Sequence, residues 1–284
     1  LENIEKSIRK KFHKVLFSKF AQAINQYKLV EENDRIAVCI SGGKDSMLLA
    51  KCLQQLKRQS STEFGLEFIV MDPGYHPDNR KLIEDNAALM NIPVRIFDSD
   101  IFDIVVDVDQ SPCYLCARMR RGYLYAHARE LGCNKIALGH HFDDAIETIL
   151  MGILYGGQMN TMMPKLHSTN FEGMELIRPL YFVKEEDILN WKDYNGLHFL
   201  QCACRFTEQA AKEQAARGIA GNGADIVHTS KRQEMKELIR SLRKISPFID
   251  ANIMKSVENI NLDACLGYVQ KGVRHHFMDK YDER

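Results

Sequence analysis

The sequence has no apolar run long enough to cross a membrane and no segment with the composition of a secretory signal. It also has no net charge, because 38 basic residues balance 38 acidic ones. Overall charge therefore neither indicates nor excludes a nucleic-acid partner, and only local clusters of charge are informative. We expect a cytoplasmic protein that is not bound to a membrane. The chain begins with Leu1 rather than Met, so its natural start stays open.

The cysteine pattern is not that of a secreted disulfide framework, because the eight cysteines stand singly or in close pairs. In a chain without a secretory signal, close cysteine pairs more often bind a metal or carry redox chemistry. Two such pairs are present, Cys113 with Cys116 and Cys202 with Cys204. The 284 residues, 45% of them hydrophobic, suffice for one large or two small domains with a substantial core.

One short segment, residues 41–46, lies between a predicted buried strand and a predicted amphipathic helix. A glycine turn in this context lets the backbone approach an anion, and the first amides of the helix then point at that anion. Its spacing matches neither the Walker loop nor the dinucleotide Gly-x-Gly-x-x-Gly motif. It resembles the Ser-Gly-Gly-x-Asp-Ser loop of enzymes that split ATP between the α and β phosphates. We call it the pyrophosphate loop, and its predicted nucleotide-binding residues are Ser41, Gly42, Gly43, Lys44, Asp45 and Ser46.

Apolar segments alternate with helical patterns along the first two thirds of the chain. This alternation predicts an α/β fold: a parallel five-stranded sheet with helices on both faces. The expected strands are Ile36–Ile40, Glu67–Asp72, Pro93–Phe97, Lys135–Gly139 and Glu175–Leu180.

We expect three regions along the chain. They are a basic helical extension over residues 1–33, a nucleotide-binding catalytic domain over 34–200, and a helical C-terminal region over 201–284. The basic side of the N-terminal helix is interpreted as a solvated face, with an RNA backbone as the alternative partner.

Ligands of parallel sheets bind beyond the carboxyl ends of the strands. Asp72, Gly139 and His140 are therefore candidate nucleotide-binding residues. Asp72 either contacts a sugar hydroxyl or only ends its strand, and His140 contacts the phosphates or a reacting group. Asp143 or Asp144 is expected to coordinate Mg²⁺, although a helix-capping aspartate with solvated neighbours is the alternative.

A predicted helix after Cys113 and Cys116 carries Arg118, Arg120 and Arg121 beside tyrosines. Nearby arginines favour the thiolate form of a cysteine. Arginines and aromatic rings together suit a nucleic-acid backbone with a stacked base, so the three arginines are candidate nucleic-acid contacts. The cysteine pair alone is compatible with structural zinc, a redox disulfide or an iron–sulfur cluster.

Taken together, four motifs resemble the ATP-dependent tRNA 2-thiocytidine synthetase family in order and spacing. They are SGGKDS at 41–46, CYLCARMRRGYLY at 113–125, ALGHHFDDAIETILMGILYGG at 137–157 and RPLYF at 178–182. The resemblance covers residues 1–210 and implies the adenine-nucleotide α-hydrolase fold, which is Rossmann-like. It also implies adenylation of a tRNA cytidine carbonyl, at position 32 of the anticodon loop, and replacement of that oxygen by sulfur.

The same resemblance implies a [4Fe–4S] cluster held by Cys113, Cys116 and one further cysteine. Where the family has Cys-x-x-Cys, this chain has only one residue between Cys202 and Cys204, so the third ligand stays open, with a slight preference for Cys204. The expected cofactors are ATP, Mg²⁺ and the cluster. The expected catalytic residues are Lys44, Asp45, Cys113, Cys116 and Asp143.

Thiolation of a different tRNA nucleoside stays open at this point, and so do two other functions. One is a ligase of the lysidine synthetase type, which would use an amine nucleophile and no cluster. The other is a non-enzymatic, nucleotide-sensing module that binds tRNA and holds a structural zinc. The expected partners are tRNA and a sulfur donor, either a cysteine desulfurase or sulfide, and the resemblance implies a homodimer.

Overall fold

The computed structural model describes residues 2–99, 112–200 and 231–283. The strands of its central sheet are β1 (Arg35–Cys39), β2 (Gly65–Asp72), β3 (Val94–Asp98), β4 (Lys135–Ala137), β5 (Lys165–His167) and β6 (Glu175–Ile177). Their order across the sheet is β3-β2-β1-β4-β6-β5. Every neighbouring pair is parallel except β5 and β6, which are antiparallel.

The helices of the described ranges separate and flank these strands. They are α1 (Glu2–Arg9), α2 (Ser18–Tyr27), α3 (Lys44–Gln59), α4 (Pro77–Leu89), α5 (Pro112–Glu130), α6 (Phe142–Gly156), α7 (Glu185–Tyr194), α8 (Lys231–Ile245) and α9 (Ile249–Glu258). A short antiparallel hairpin, β7 (Gly267–Gln270) and β8 (Val273–His276), follows near the C-terminus. No helix of these ranges is both long and apolar enough to cross a bilayer.

The predicted fold class is confirmed, and so are the five parallel strands. The sheet has one strand more than expected, because Lys165–His167 forms an antiparallel edge strand in a stretch that was predicted to be irregular. Three residues are too few to show the alternation by which a strand is recognised in a sequence.

The predicted N-terminal helix is interrupted, because α1 ends at Arg9 and a π-helical turn, His13–Phe17, precedes α2. Its expected four-residue apolar period is nevertheless buried throughout. The members are Ile4, Ile8, Phe12, Leu16, Phe20 and Ile24.

A buried ammonium connects this N-terminal segment to the helix that follows the pyrophosphate loop. Lys51 of α3 is 1% exposed, and its Nζ lies 2.7 Å from Glu5 Oε1 of α1. The same ammonium donates to the Met90 carbonyl at 2.8 Å, and Arg58 binds the second oxygen of Glu5 at 3.0 Å. All of these charges are paired, as buried charges must be to avoid a large desolvation cost.

The described residues form two compact units. Those within 1–144 and 163–227 make up the first unit, which contains the central sheet. Those within 145–162 and 228–284 make up the second, where Glu147 of α6 lies 3.5 Å from Arg232 and 3.9 Å from Lys236 of α8. The region boundaries at residues 33 and 200 stay predictions.

Candidate functional site

The pyrophosphate loop is folded tightly between β1 and α3. Gly42 has a φ of +82°, and an added Cβ would lie 2.6 Å from Ile83 Cγ1, so this position requires glycine on both counts. Ser46 accepts a hydrogen bond from the Ser41 amide at 3.2 Å and donates to the Gly43 carbonyl at 3.0 Å. The loop is therefore closed on the Ser46 hydroxyl, with the first turn of α3 behind it.

Gly139 brings the end of β4 against the beginning of α3. A Cβ at this position would lie 2.9 Å from the Ser46 amide nitrogen and 3.0 Å from the Asp45 carbonyl carbon. Such distances to backbone atoms leave no room for any side chain. The end of β4 and the first turn of α3, which flank the predicted phosphate site, thus approach each other at a distance that only glycine allows.

Lys44 is held between two carboxylates. Its Nζ lies 3.2 Å from Asp45 Oδ2 and 3.1 Å from Glu185 Oε1 of α7. Burial alone would lower the pKa of Lys44, but the two carboxylates outweigh it and raise that pKa above its ordinary value. The side chain is therefore a permanent cation at the edge of the pyrophosphate loop.

His141 lies between two further carboxylates of the site. Its Nε2 is 3.9 Å from Asp45 Oδ1, and its Nδ1 is 3.5 Å from Asp144 Oδ2. The His141 side chain is 4% exposed, and its amide donates to Asp144 Oδ2 at 3.0 Å. Burial raises the pKa of Asp45, against the lowering by His141 and Lys44. Sequence reasoning singled out the neighbouring His140 and missed this buried histidine.

The two adjacent aspartates at the start of α6 have different surroundings. Asp143 Oδ2 accepts a hydrogen bond from the Glu185 amide at 2.7 Å, so it anchors the first turn of α7. Asp144, in contrast, lines a cavity next to the pyrophosphate loop. Asp143 thereby positions the glutamate that holds Lys44, whereas Asp144 is the carboxylate presented to the cavity.

This first cavity, the strand-end cavity, has a volume of about 330 Å³. It opens beyond the carboxyl ends of β1, β2 and β4, where a parallel sheet binds its ligands. The pyrophosphate loop, His140 and Asp144 form its polar side. Its apolar lining consists of Cys39, Ile40, Met71, Leu124 and Leu138. An apolar pocket beside an anion cradle suits the nucleoside and the phosphates of one nucleotide.

A second cavity, the loop-side cavity, has a volume of about 510 Å³ and adjoins the other side of the pyrophosphate loop. It shares Ser41, Asp45, Tyr75 and Arg120 with the strand-end cavity. The residues that belong to it alone include Lys44, Lys192, His198, Phe199 and Leu200. The two cavities therefore meet at the pyrophosphate loop. The strand-end cavity has more apolar side chains, and the loop-side cavity contains the two lysines.

Asp72 organises the turn that brings Tyr75 to both cavities. Its Oδ1 accepts hydrogen bonds from the amides of Gly74 at 2.8 Å and Tyr75 at 2.6 Å. Its Oδ2 lies 3.0 Å from Arg80. These contacts account for a buried aspartate at the end of β2, and a contact with a sugar hydroxyl stays a prediction.

Cys113 and Cys116 lie in the first turns of α5. With 3.6 residues per turn, positions 113, 116, 120 and 124 share one side of this helix. Arg120 and Leu124 line the strand-end cavity, so the same helix side that carries the cysteines continues into the wall of the nucleotide site. In general, cysteines in the first turn of a helix suit a metal centre, because the helix dipole favours the thiolate form.

The predicted third cluster ligand, Cys202 or Cys204, lies outside the described residues. The described chain stops before them at Leu200, whose amide donates to the Gly42 carbonyl at 3.2 Å. Among the residues that the structure describes, no group of three or more His, Cys, Asp or Glu side chains is arranged to hold a metal ion. This described segment therefore ends at the pyrophosphate loop, two positions before Cys202 in the sequence.

The arginines predicted to contact tRNA do not share one environment. Arg120 lines both cavities, whereas Arg121 is exposed. Arg118 lies on the same helix α5. Arg120 is therefore presented to the nucleotide site, and Arg121 is the exposed cation of this pair.

Three of the four other described cysteines, Cys39, Cys52 and Cys133, are buried, free thiols. Burial raises the pKa of Cys39 to about 12 and the pKa of Cys133 to about 11. Cys52 is also buried and free, with its pKa raised by burial, and Cys265 is free and partly exposed. Thiols with such raised pKa values stay protonated and are poor metal ligands.

A glycine-turn anion cradle at the carboxyl edge of a parallel sheet defines a nucleotide-binding protein of the pyrophosphate-loop class. In agreement, the model of the PP-loop domain family matches residues 13–205. The chain is 34% identical to the tRNA-cytidine(32) 2-sulfurtransferase of Geotalea uraniireducens over 247 residues, which cover 86% of this chain and 90% of the relative. It is also 34% identical to the enzyme of the same name from Coxiella burnetii, covering 88% and 91%.

The chain belongs to the PP-loop domain family and, within it, to the tRNA-cytidine(32) 2-sulfurtransferase family. Among solved structures, it is similar to the U34-tRNA thiolase NcsA from Methanococcus maripaludis with its [4Fe–4S] cluster. The TM-score is 0.61 at 20% identity, with 86% of this chain and 79% of the other covered. At that identity the likeness concerns the fold, which it confirms. The resemblance seen in the sequence is also confirmed.

Proposed function

We propose that this protein is an ATP-dependent tRNA sulfurtransferase that adenylates the 2-carbonyl of cytidine 32 and replaces its oxygen with sulfur. One observation carries the proposal: the side of α5 that bears Cys113 and Cys116 continues, at Arg120 and Leu124, into the wall of the cavity at the pyrophosphate loop. This arrangement along the helix supports a site in which the sulfur chemistry lies close to the ATP chemistry. The names of the relatives support the same activity.

The reaction needs activation because a pyrimidine carbonyl oxygen is a poor leaving group. In the first step this oxygen attacks the α-phosphorus of ATP, the bond from that phosphorus to the bridging oxygen breaks, and pyrophosphate leaves. In the second step a sulfur nucleophile attacks the activated carbon, the carbon–oxygen bond breaks, and AMP leaves. Each step develops negative charge on phosphate oxygens, which the site must stabilise.

The pyrophosphate loop and Lys44 supply that stabilisation. In this proposal the amides of the Gly42–Gly43 turn and of the first turn of α3 donate to the phosphates, and Lys44 adds a positive charge. Asp144 is the preferred Mg²⁺ ligand of the aspartate pair, since it lines the cavity whereas Asp143 anchors α7. Mg²⁺ commonly uses one or two carboxylates together with substrate phosphates.

Cys113, Cys116 and either Cys202 or Cys204 would hold the cluster. When bound, a [4Fe–4S] cluster with three cysteine ligands supplies an iron without a protein ligand, at which a sulfur nucleophile can bind. Around it, Arg120 adds positive charge near the place where the activated oxygen leaves. His141 lies between Asp45 and Asp144, and its two ring nitrogens orient these carboxylates.

The proposed activity also suggests the partners, the oligomeric state and the cellular location of the protein. We propose tRNA as substrate, a cysteine desulfurase or sulfide as sulfur donor, a homodimeric state and a cytoplasmic location. We further propose that residues 34–200 carry the catalytic domain, between the extension at 1–33 and the C-terminal region at 201–284.

Mass spectrometry of tRNA nucleosides tests the proposal directly. tRNA lacking this modification, incubated with anaerobically reconstituted protein, ATP, Mg²⁺ and a sulfide source, is expected to gain 2-thiocytidine at position 32. A ligase of the lysidine type would instead show activity without iron or labile sulfide. A sensing module with structural zinc would release no pyrophosphate in the presence of tRNA.

A further inference from the structure

The loop-side cavity combines aromatic rings with positive charges. Tyr75 and Phe199 contribute the rings, Lys44 and Lys192 contribute ammonium groups, and His198 contributes an imidazole ring. The strand-end cavity has a mostly apolar lining beyond its phosphate-binding side. A nucleotide with its adenosine in the strand-end cavity therefore leaves the loop-side cavity for a different ligand, one that offers both a flat ring and negative charge.

Phe199 is held as a fixed platform in this cavity. Its ring is half-buried and lies nearly parallel to the ring of Trp191, with 6.3 Å between centroids and 16° between planes. Trp191 is fully buried, and its Nε1 donates to the Ser7 hydroxyl at 3.2 Å. A preorganised aromatic ring binds a base without the entropic cost of ordering a mobile side chain.

The backbone on both sides of Phe199 is anchored as well. The His198 carbonyl accepts a hydrogen bond from Asn86 Nδ2 at 2.8 Å. The Leu200 amide donates to the Gly42 carbonyl of the pyrophosphate loop at 3.2 Å. Phe199 is therefore fixed directly beside the loop at which the α-phosphate is attacked.

We propose that the loop-side cavity receives the target pyrimidine of the tRNA, turned out of the anticodon loop, with its base stacked on Phe199. Lys192 and His198 bind the phosphates that flank this nucleotide. The inference rests on the proposed function, which requires the base carbonyl to reach the α-phosphorus. Enzymes that modify a base take it out of its stack, and single-stranded bases are recognised mainly by stacking on aromatic rings.

Free pyrophosphate is the competing occupant of this cavity, because it would also bind Lys44 and Lys192. It would not require the aromatic platform, so removal of the Phe199 ring distinguishes the two ligands. If the change at Phe199 leaves both RNA binding and inhibition by pyrophosphate unchanged, while Lys192→Gln weakens that inhibition, the proposal is overturned.

The test uses synthetic anticodon stem-loops that carry either cytidine or an abasic nucleotide at position 32. Dissociation constants are measured by fluorescence anisotropy with the full-length protein. The wild type is expected to prefer the cytidine stem-loop. Phe199→Leu should weaken binding of that stem-loop roughly tenfold, without changing the affinity for the abasic stem-loop or for ATP. Phe199→Tyr, which keeps the ring, should bind like the wild type.

Tyr194→Leu is the matched control for the aromatic change, because Tyr194 is an exposed ring of α7 that lies outside the residues lining the cavity. The charge arm uses Lys192→Gln with His198→Gln. This pair should weaken both stem-loops alike and reduce the salt dependence of binding, since the contacts are to phosphates. Lys81→Gln, an exposed cation of α4, should change neither.

The outcomes distinguish failure of the base-pocket inference from failure of the proposed function. If the wild type makes 2-thiocytidine but Phe199→Leu keeps the full preference for cytidine, only the base-pocket inference fails. If the wild type binds neither stem-loop and modifies no tRNA, the proposed function fails. Should Phe199→Leu lose ATP binding through misfolding, the Lys192→Gln and His198→Gln pair decides, and unchanged salt dependence there overturns the phosphate contacts.

Discussion

The Lys44 ammonium at the pyrophosphate loop lies 3.1 Å from the carboxylate of Glu185, a residue 141 positions away along the chain. The Asp143 carboxylate fixes this glutamate through its backbone amide. Lys44 thus forms an ion pair with Glu185 at the predicted phosphate-binding position. Phosphates arriving at the loop must compete with Glu185 for the same ammonium.

Removing that competitor should strengthen nucleotide binding. We expect Glu185→Gln to lower the dissociation constant for ATP several-fold, because Lys44 then loses a carboxylate partner that opposes its transfer to the phosphates. Lys44→Ala should raise the constant by about tenfold or more. Isothermal titration calorimetry measures both. Glu186→Gln, an exposed neighbour with the same charge change, is the control. Weaker ATP binding by Glu185→Gln would show that the pair serves binding rather than opposing it.

The contact between the end of β4 and α3 gives a prediction that depends only on steric exclusion of a side chain at Gly139. Gly139→Ala should destabilise the protein and impair ATP binding, because the new methyl group would lie 2.9 Å from the Ser46 amide nitrogen. We expect a loss of about 2 kcal/mol in the free energy of unfolding. Gly122→Ala on α5 is the matched change, since no atom lies within 4 Å of its added Cβ. It should be neutral or stabilising by about 0.5–1 kcal/mol. Equal effects of the two changes would refute the packing argument.

The Glu5–Lys51 pair predicts a loss of stability in acid. Burial acts to raise the pKa of Glu5, but Arg58 and Lys51 outweigh it and lower that pKa from 4.5 to about 2. Because the folded-state pKa is the lower one, this stabilisation is complete above pH 4.5 and disappears as the pH falls toward 2.

Urea unfolding of the wild type and of Glu5→Gln between pH 7 and pH 3 measures this effect. At pH 7 the variant should be less stable by about 3 kcal/mol, because Lys51 remains buried without its carboxylate. The difference should shrink as the pH is lowered. Glu2→Gln on the same helix, an exposed position, should show no such trend. A difference that is constant with pH would exclude the assigned pKa shift.

Two adjacent arginines of α5 should differ in their effect on ATP binding. Arg120 lines both cavities, so Arg120→Ala should raise the dissociation constant for ATP. Arg121 is exposed, so Arg121→Ala should weaken tRNA binding only and lower the slope of its salt dependence by about one. Filter binding at several salt concentrations tests both variants. If Arg121→Ala leaves the salt slope unchanged, the tRNA does not contact this residue.

Much of the fold was predictable because its signals are local. Buried parallel strands are continuous apolar runs, and a glycine turn followed by a helix start marks the pyrophosphate loop within a few residues. The contacts that complete the site join distant positions. No local pattern links Glu185 to Lys44 or places Phe199 beside the loop, and none distinguishes the buried His141 from its neighbour His140. The edge strand Lys165–His167 escaped prediction because it is short.

We propose that ATP activation and sulfur transfer take place at the same pyrophosphate loop, where the two cavities meet, but depend on different residues. The most direct measurement follows pyrophosphate release and 2-thiocytidine formation in parallel for Cys113→Ser, with Cys265→Ser as the control, a partly exposed cysteine outside the pairs. We expect Cys113→Ser to bind ATP normally and release pyrophosphate with tRNA, yet to form no 2-thiocytidine. The control should form it at the rate of the wild type. Normal 2-thiocytidine formation by Cys113→Ser would contradict the account.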